Sequence, residues 1–202
     1  MRLKKLAITF AMAAAVTPAM AQYEGTSVYD RIGHGQDSID VLNSLAMYID
    51  YYKIQDWKSA YEPWKVVITK APFAQVGVYA YGAAILGNLI VATQEMDQKK
   101  GYFNELMDLY DTRLKNLAGL NSFTSEAKQV TKGDVMARKA FDYAYYGQGV
   151  ADDFSVDKSY SMFREAFNMI RQEGAKEIEA FVLNKFFDIS YQKYVADNQG
   201  FR

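Results

Sequence analysis

Cysteine is absent from this 202-residue chain, which excludes a disulfide framework, a thiol nucleophile, a thiolate metal site and a lipid-modified cysteine anchor. There is one histidine, His34, and no HExxH motif, so a conventional zinc site is not expected. Proline is scarce, at three residues, which favours helices over a sandwich of short strands. Neither charge dominates: 23 Lys+Arg stand against 24 Asp+Glu, and no basic field marks a nucleic-acid partner. What the chain does contain is apolar surface. Half of it is hydrophobic and 15% is aromatic, with 16 Tyr, 12 Phe and 2 Trp, too much for a disordered protein.

Residues 1–21 read as a cleaved signal peptide. Arg2, Lys4 and Lys5 form a basic start and Leu6 to Val16 an apolar stretch. Pro18 breaks that stretch, and Ala19-Met20-Ala21 supplies small residues at the two positions signal peptidase reads. A run this short does not span a bilayer. Cleavage after Ala21 leaves 20 basic against 24 acidic side chains, a net of −4 with His neutral. The expectation is a mildly acidic periplasmic or secreted protein starting at Gln22, without stable membrane insertion.

A loose, glycine-containing lead, Gln22 to Gln36, precedes a succession of helical patterns. Asp37 or Ser38 can cap a first helix, with Ile39, Leu42, Ala46, Ile49 and Lys53 on one stripe. Asp56 can cap a second, which Pro72 ends. A third, from about Gln75 to Thr93, is apolar nearly all round and reads as buried between neighbours. A fourth follows Gly101. The polar stretch Ala118 to Gly133 reads as a loop, with room for a short helix from Ser125. Further helices are expected from Asp134 to Tyr146, from Ser155 or Asp157 to Gly174, and from near Lys176 onward. No strand-period segment competes. The fold class is all-α, with about seven helices after the signal peptide.

Helices in sequential pairs invite a search for repeats. Tyr51, Ala60, Trp64 and Pro72 stand at offsets of 9, 13 and 21, and Gly82 lies 34 residues after Tyr48. This resembles the tetratricopeptide (TPR) repeat family, whose pattern runs W-x2-L-G-x2-Y followed by Ala, Phe and Pro. The resemblance makes Tyr51 the tyrosine of a first helix, Ala60 the small residue at a helix crossing, Trp64 a replacement for Phe, and Pro72 the end of the second helix. Gly82 then takes the small place of the next repeat, with Ile85 on the tyrosine place. A third copy aligns on Ala140 and Tyr143, 58 residues after Gly82, and a further first helix on Phe187, Tyr191 and Tyr194. Ser44 and Tyr48 stand where Trp and Gly belong, and Pro63 falls inside the second helix, so that the helix kinks there or its regular part begins there. The resemblance implies antiparallel helix pairs stacked as a solenoid over residues 37–202. A solenoid ends on a polar-faced cap, and the last helix, with Phe181, Phe186, Phe187, Ile189 and Tyr191, has none after it. The expectation is that the repeat domain continues beyond Arg202.

Groups that could carry chemistry do not converge. Asp152-Asp153, Glu177/Glu179 and Asp108/Asp111 are carboxylate pairs of the kind that hydrolyse glycosides, but on charged helix surfaces they read as solvating residues or caps. Gly147-Gln148-Gly149 lacks the strand, helix and lysine of a phosphate loop, and Asp152 to Asp157 lacks the central glycine of a calcium loop. No cofactor, metal or catalytic set is expected. The tyrosine clusters Tyr48/Tyr51/Tyr52, Tyr79/Tyr81 and Tyr143/Tyr145/Tyr146 read mainly as core. Consecutive rings cannot all point inward, however, and Tyr48, Tyr52, Tyr79 and Tyr145 are the candidates for contacting a partner. The TPR resemblance places Tyr52 and Tyr145 near the ends of first helices, whose faces line the inner groove in that family. The expected function is an exported scaffold binding a protein or peptide, with no catalysis of its own. The alternative is a helical carbohydrate-binding module of the outer-membrane glycan-uptake type, although Gln22 stands where such proteins carry a lipidated Cys.

Overall fold

The computed structural model describes residues 28–174 and 177–198. The expected signal peptide with Ala19 and Ala21, the first part of the lead, Ala175, Lys176, and Gln199 to Arg202 lie outside the described residues. Eight α-helices and no strand occur among those described, which establishes the all-α class. They are α1 (Val28–Ile32), α2 (Gln36–Lys53), α3 (Trp57–Lys70), α4 (Gly77–Ala92), α5 (Met96–Ser122), α6 (Lys132–Tyr146), α7 (Val156–Gln172) and α8 (Ala180–Asn198). A 3-10 turn, Glu126–Lys128, precedes α6.

Several boundaries follow from local chemistry visible in the chain. Asp56 caps α3 by accepting from the Ser59 N–H at 3.1 Å. Ser155 caps α7 through the Lys158 N–H at 3.0 Å. Thr131 opens α6 with a capping box: its hydroxyl accepts from the Asp134 N–H while the Asp134 carboxylate accepts from the Thr131 N–H at 2.8 Å.

Others differ from expectation. The lead is not loose throughout, since Val28–Ile32 is helical and Ile32 is buried. Gly35, at φ +66°, rather than Asp37 or Ser38, precedes α2, and the Ser38 hydroxyl turns back to donate to the Gly35 carbonyl. The buried face of α2 is Val41 and Tyr48 with Leu45 and Tyr52 beside them, while Ile39 and Leu42 are exposed. Helix α3 runs through Pro63. Helix α5 begins before Gly101 and continues through Gly119 to Ser122, so the expected loop starts later than Ala118. The last helix starts at Ala180, beyond Lys176.

Each helix packs against the next in sequence, and α6 also meets α4 and α8. The pairs are antiparallel. Lys70 at the end of α3 bonds Asp37 at the start of α2. Gly119 near the end of α5 lies under Phe73, just before α4. The Glu173 carboxylate, after α7, accepts from the Lys132 and Gly133 N–H groups that open α6. Lys193 late in α8 reaches Asp157 early in α7.

Small residues set the close approaches. A Cβ on Gly82 would sit 2.4 Å from the Trp64 ring, so only glycine leaves room for the indole between α3 and α4. Trp64 is fully buried, and its Nε1–H donates to the Val78 carbonyl at 2.8 Å. Ala60 and Ala140 are likewise fully buried, and Tyr143 is buried with its hydroxyl donating to the Asp153 carbonyl at 3.0 Å. Tyr51 is half-buried against the core and Pro72 lies in the turn after α3. No helix among the described residues is long and apolar enough to cross a membrane.

A candidate binding cleft

Helix α4 is buried on most of its circumference, by Val78, Tyr79, Gly82, Ile85, Leu86, Gly87, Leu89 and Ile90. Its remaining strip, Ala80, Ala83, Ala84 and Asn88, forms one wall of a cleft of about 590 Å³. The facing wall comes from α6, with Asp134, Arg138, Phe141 and Tyr146 at helical spacing. Tyr110 and Arg113, one turn apart on α5, supply the floor, together with Asp142 of α6. Glu177, Ile178 and Glu179, ahead of α8, close one end. A mixed lining of small apolar residues and a few polar groups is the usual make-up of a ligand site.

The floor holds a strongly desolvated carboxylate. Asp142 is buried, and the Tyr110 hydroxyl donates to its carboxylate at 2.5 Å. Burial pushes the Asp142 carboxyl up to about 6, against the pull of the Tyr110 hydrogen bond and of the Arg138 charge. Tyr110 is itself raised far above an ordinary phenol by burial and by that carboxylate. Arg138 is held from outside, its Nε and Nη2 donating to Glu179 at 2.6 and 2.7 Å while its plane covers the Phe181 ring.

Arg113 differs. Its Nε is buried without a hydrogen-bond partner, and it takes part in no hydrogen bond or ion pair among the described residues. Burial lowers its pKa, while Tyr110, Tyr79 and Asp134 pull the other way. The Tyr146 hydroxyl lies across α4 at Gly87, where a Cβ would be 2.5 Å away, and it too makes no hydrogen bond among the described residues.

The four tyrosines expected to contact a partner separate into three settings. Tyr48 is fully buried and accepts from Gln75 Nε2 at 2.5 Å; its pKa is pushed up to about 12 by burial. Tyr79 is also buried and accepts from Asn116 Nδ2 at 2.8 Å. Neither presents a surface, because the buried face of α2 and the enclosed position of α4 turn both rings inward. Tyr52 is half-buried between Trp57 and Tyr81, at centroid distances of 5.3 and 4.6 Å. Tyr145 is 57% exposed and stacks on Phe141 at 5.7 Å, beside the cleft.

The other candidates are solvated or paired. His34 is exposed. Asp152 pairs with Lys100, Asp153 with Lys158, Asp111 with Lys139 and Glu179 with Arg138. No group of three or more His, Asp or Glu that could hold a metal occurs among the described residues. Asp142 and Arg113 look like ordinary surface residues of their helices and Tyr110 like one more apolar-face ring, so the sequence does not single them out.

The fold and site together define an all-α protein of antiparallel helix pairs with a partly apolar cleft between α4, α5 and α6. No known protein family, curated protein or solved structure matches the chain.

Proposed function

We propose that this protein is an exported, TPR-like helical scaffold that binds a protein or peptide, with no catalysis of its own. The supporting observation is the order of packing: each antiparallel pair rests on the next, with Ala60, Gly82 and Ala140 at close approaches. One face, along α4, α6 and the approach to α8, is left open. Tyr145 projects beside the cleft on that face, a broad ring with a hydrogen-bonding tip of the kind that recurs in protein interfaces.

A photo-crosslinking side chain placed at Tyr145 in the producing cell tests this reading. The expected result is one dominant crosslinked polypeptide from position 145 and none from the exposed Lys115 on α5. Equal labelling from both positions, or none, would remove the groove assignment. Retention on a glycan array without any crosslink would transfer the surface to carbohydrate.

A further inference from the structure

A half-buried arginine beside an open cleft, its Nε–H fully buried and without an acceptor, is an unusual arrangement, because an unpaired buried donor is disfavoured. The nearby carboxylates do not relieve it. Asp134 is occupied in the capping box of α6, Asp142 by the Tyr110 hydroxyl, and Glu179 by the fork of Arg138. Glu173 accepts from the Lys132 and Gly133 N–H groups. Arg113 is therefore a planar fork at the floor of a cavity, with its Nε–H unpartnered.

We propose that the cleft is a binding pocket for an organic carboxylate with an apolar body, its carboxylate held by the Arg113 fork. Carboxylate geometry matches the guanidinium fork, and the interaction supplies the acceptor that the buried Nε–H lacks. The body of the ligand would lie on Ala80, Ala83, Ala84, Val135 and Phe141. The exposed Glu177 and Glu179 carboxylates at the closed end favour a singly charged anion over a phosphate. The pocket stands independently of the scaffold reading, since it requires only Arg113 and the cavity. Its ligand is a free organic acid or the C-terminal carboxylate of a peptide, which share this chemistry.

Titration of the full chain with sodium phenylacetate, followed by NMR at the Arg113 Nε–H signal, is the direct test. Phenylacetate should shift that signal saturably, whereas its neutral counterpart phenylacetamide should not. Arg113→Gln should weaken phenylacetate binding about 10- to 100-fold, the worth of a charged hydrogen-bonded contact, with its thermal melt showing that the chain still folds. Arg113→Lys, which keeps the charge but loses the fork, should weaken binding less. N-acetyl-Ala-Ala-Phe with a free C-terminus identifies the source: tighter binding than phenylacetate assigns a peptide terminus, weaker binding a free acid. Equal binding of acid and amide, insensitivity to Arg113→Gln, or no response to any of these probes would overturn the pocket. The crosslinking result at Tyr145 is unaffected by any of them, so the two readings fail separately.

Discussion

Two glycines in helix interiors show how differently one residue type can act. Gly82 is required by its neighbour: a methyl there would lie 2.4 Å from the buried Trp64 ring, so Gly82→Ala should destabilise the fold by about 1–3 kcal/mol through overpacking. Gly101, inside α5, has nothing within 4 Å of the same position, and Gly101→Ala should stabilise by about 0.4–1 kcal/mol. Urea unfolding of the two variants should move in opposite directions, and a shared sign would contradict the packing. Asp142 carries a pH signature. Its carboxyl titrates near 6 when folded and at the ordinary 3.8 when unfolded, so the unfolded chain releases the proton first as pH rises. The associated stability is fully present below 3.8 and is lost as pH climbs through about 6. Two units correspond to at most ~3 kcal/mol. Asp142→Asn keeps an acceptor for the Tyr110 hydroxyl and removes the charge, so it should flatten the fall in stability between pH 4 and pH 7. Retention of the full slope in that variant would place its origin elsewhere.

Helix α3 contains a residue that opposes its own helix. Pro63 is the seventh residue of α3, where it lacks the N–H that would reach the Ser59 carbonyl. Pro63→Ala restores that donor and relieves the ring's clash with the preceding turn, but it also loosens the unfolded chain. The net gain should be about 1–2 kcal/mol, measured by the same urea midpoint; a loss would mean that the proline ring packs productively where it stands. The elements themselves were largely legible in the chain. Asp56 and Ser155 are caps with side-chain acceptors, Pro72 follows a helix end, and periods of three and four mark the helices between. Where no side chain announces a boundary, the reading failed. Glu95 precedes α5 without a capping hydrogen bond, and α5 therefore looked as though it began after Gly101. Gly119 looked like a loop residue, whereas it is a helical glycine cleared for Phe73. The stripe expected on α2 ran through Ile39 and Leu42 because apolar residues occupy more than one face. Packing by Val41 and Tyr48 decided which face was buried, and only tertiary contact could decide it.

Across the whole molecule, the cleft depends on contacts that local pattern cannot contain. Tyr110 and Asp142 are 32 residues apart and meet only because α5 and α6 lie side by side; Arg113 is left beside them without a partner. Of the candidate tyrosines, Tyr145 alone is broadly open, since alternation along a helix does not say which neighbours will enclose it. The same packing divides the core unevenly. One buried cluster gathers residues from α1 to α5 with Val135 and Tyr143 of α6; the other gathers Ala137, Ala140, Ala144, Phe163, Ala166, Ile170, Val182 and Ile189. Half of the second cluster is alanine, so it buries less apolar area for each helix it joins. Helix α8 contributes two buried residues, Val182 and Ile189, with Phe181 and Phe186 partly buried beside them, and it exposes Leu183, Phe187, Tyr191 and Tyr194, with Phe187 74% exposed. In chains whose helices contact mainly their sequence neighbours, such a difference permits opening from the weaker end. Native-state hydrogen exchange should therefore show α8 exchanging first and α7 next, with α3 to α5 protected longest. The opening free energy of α8 should fall below that of α3–α5 by about 1.5–3 kcal/mol, the worth of one large buried side chain. Uniform protection from α2 to α8 would instead make the two clusters one cooperative unit, with α6 as its shared centre rather than its boundary.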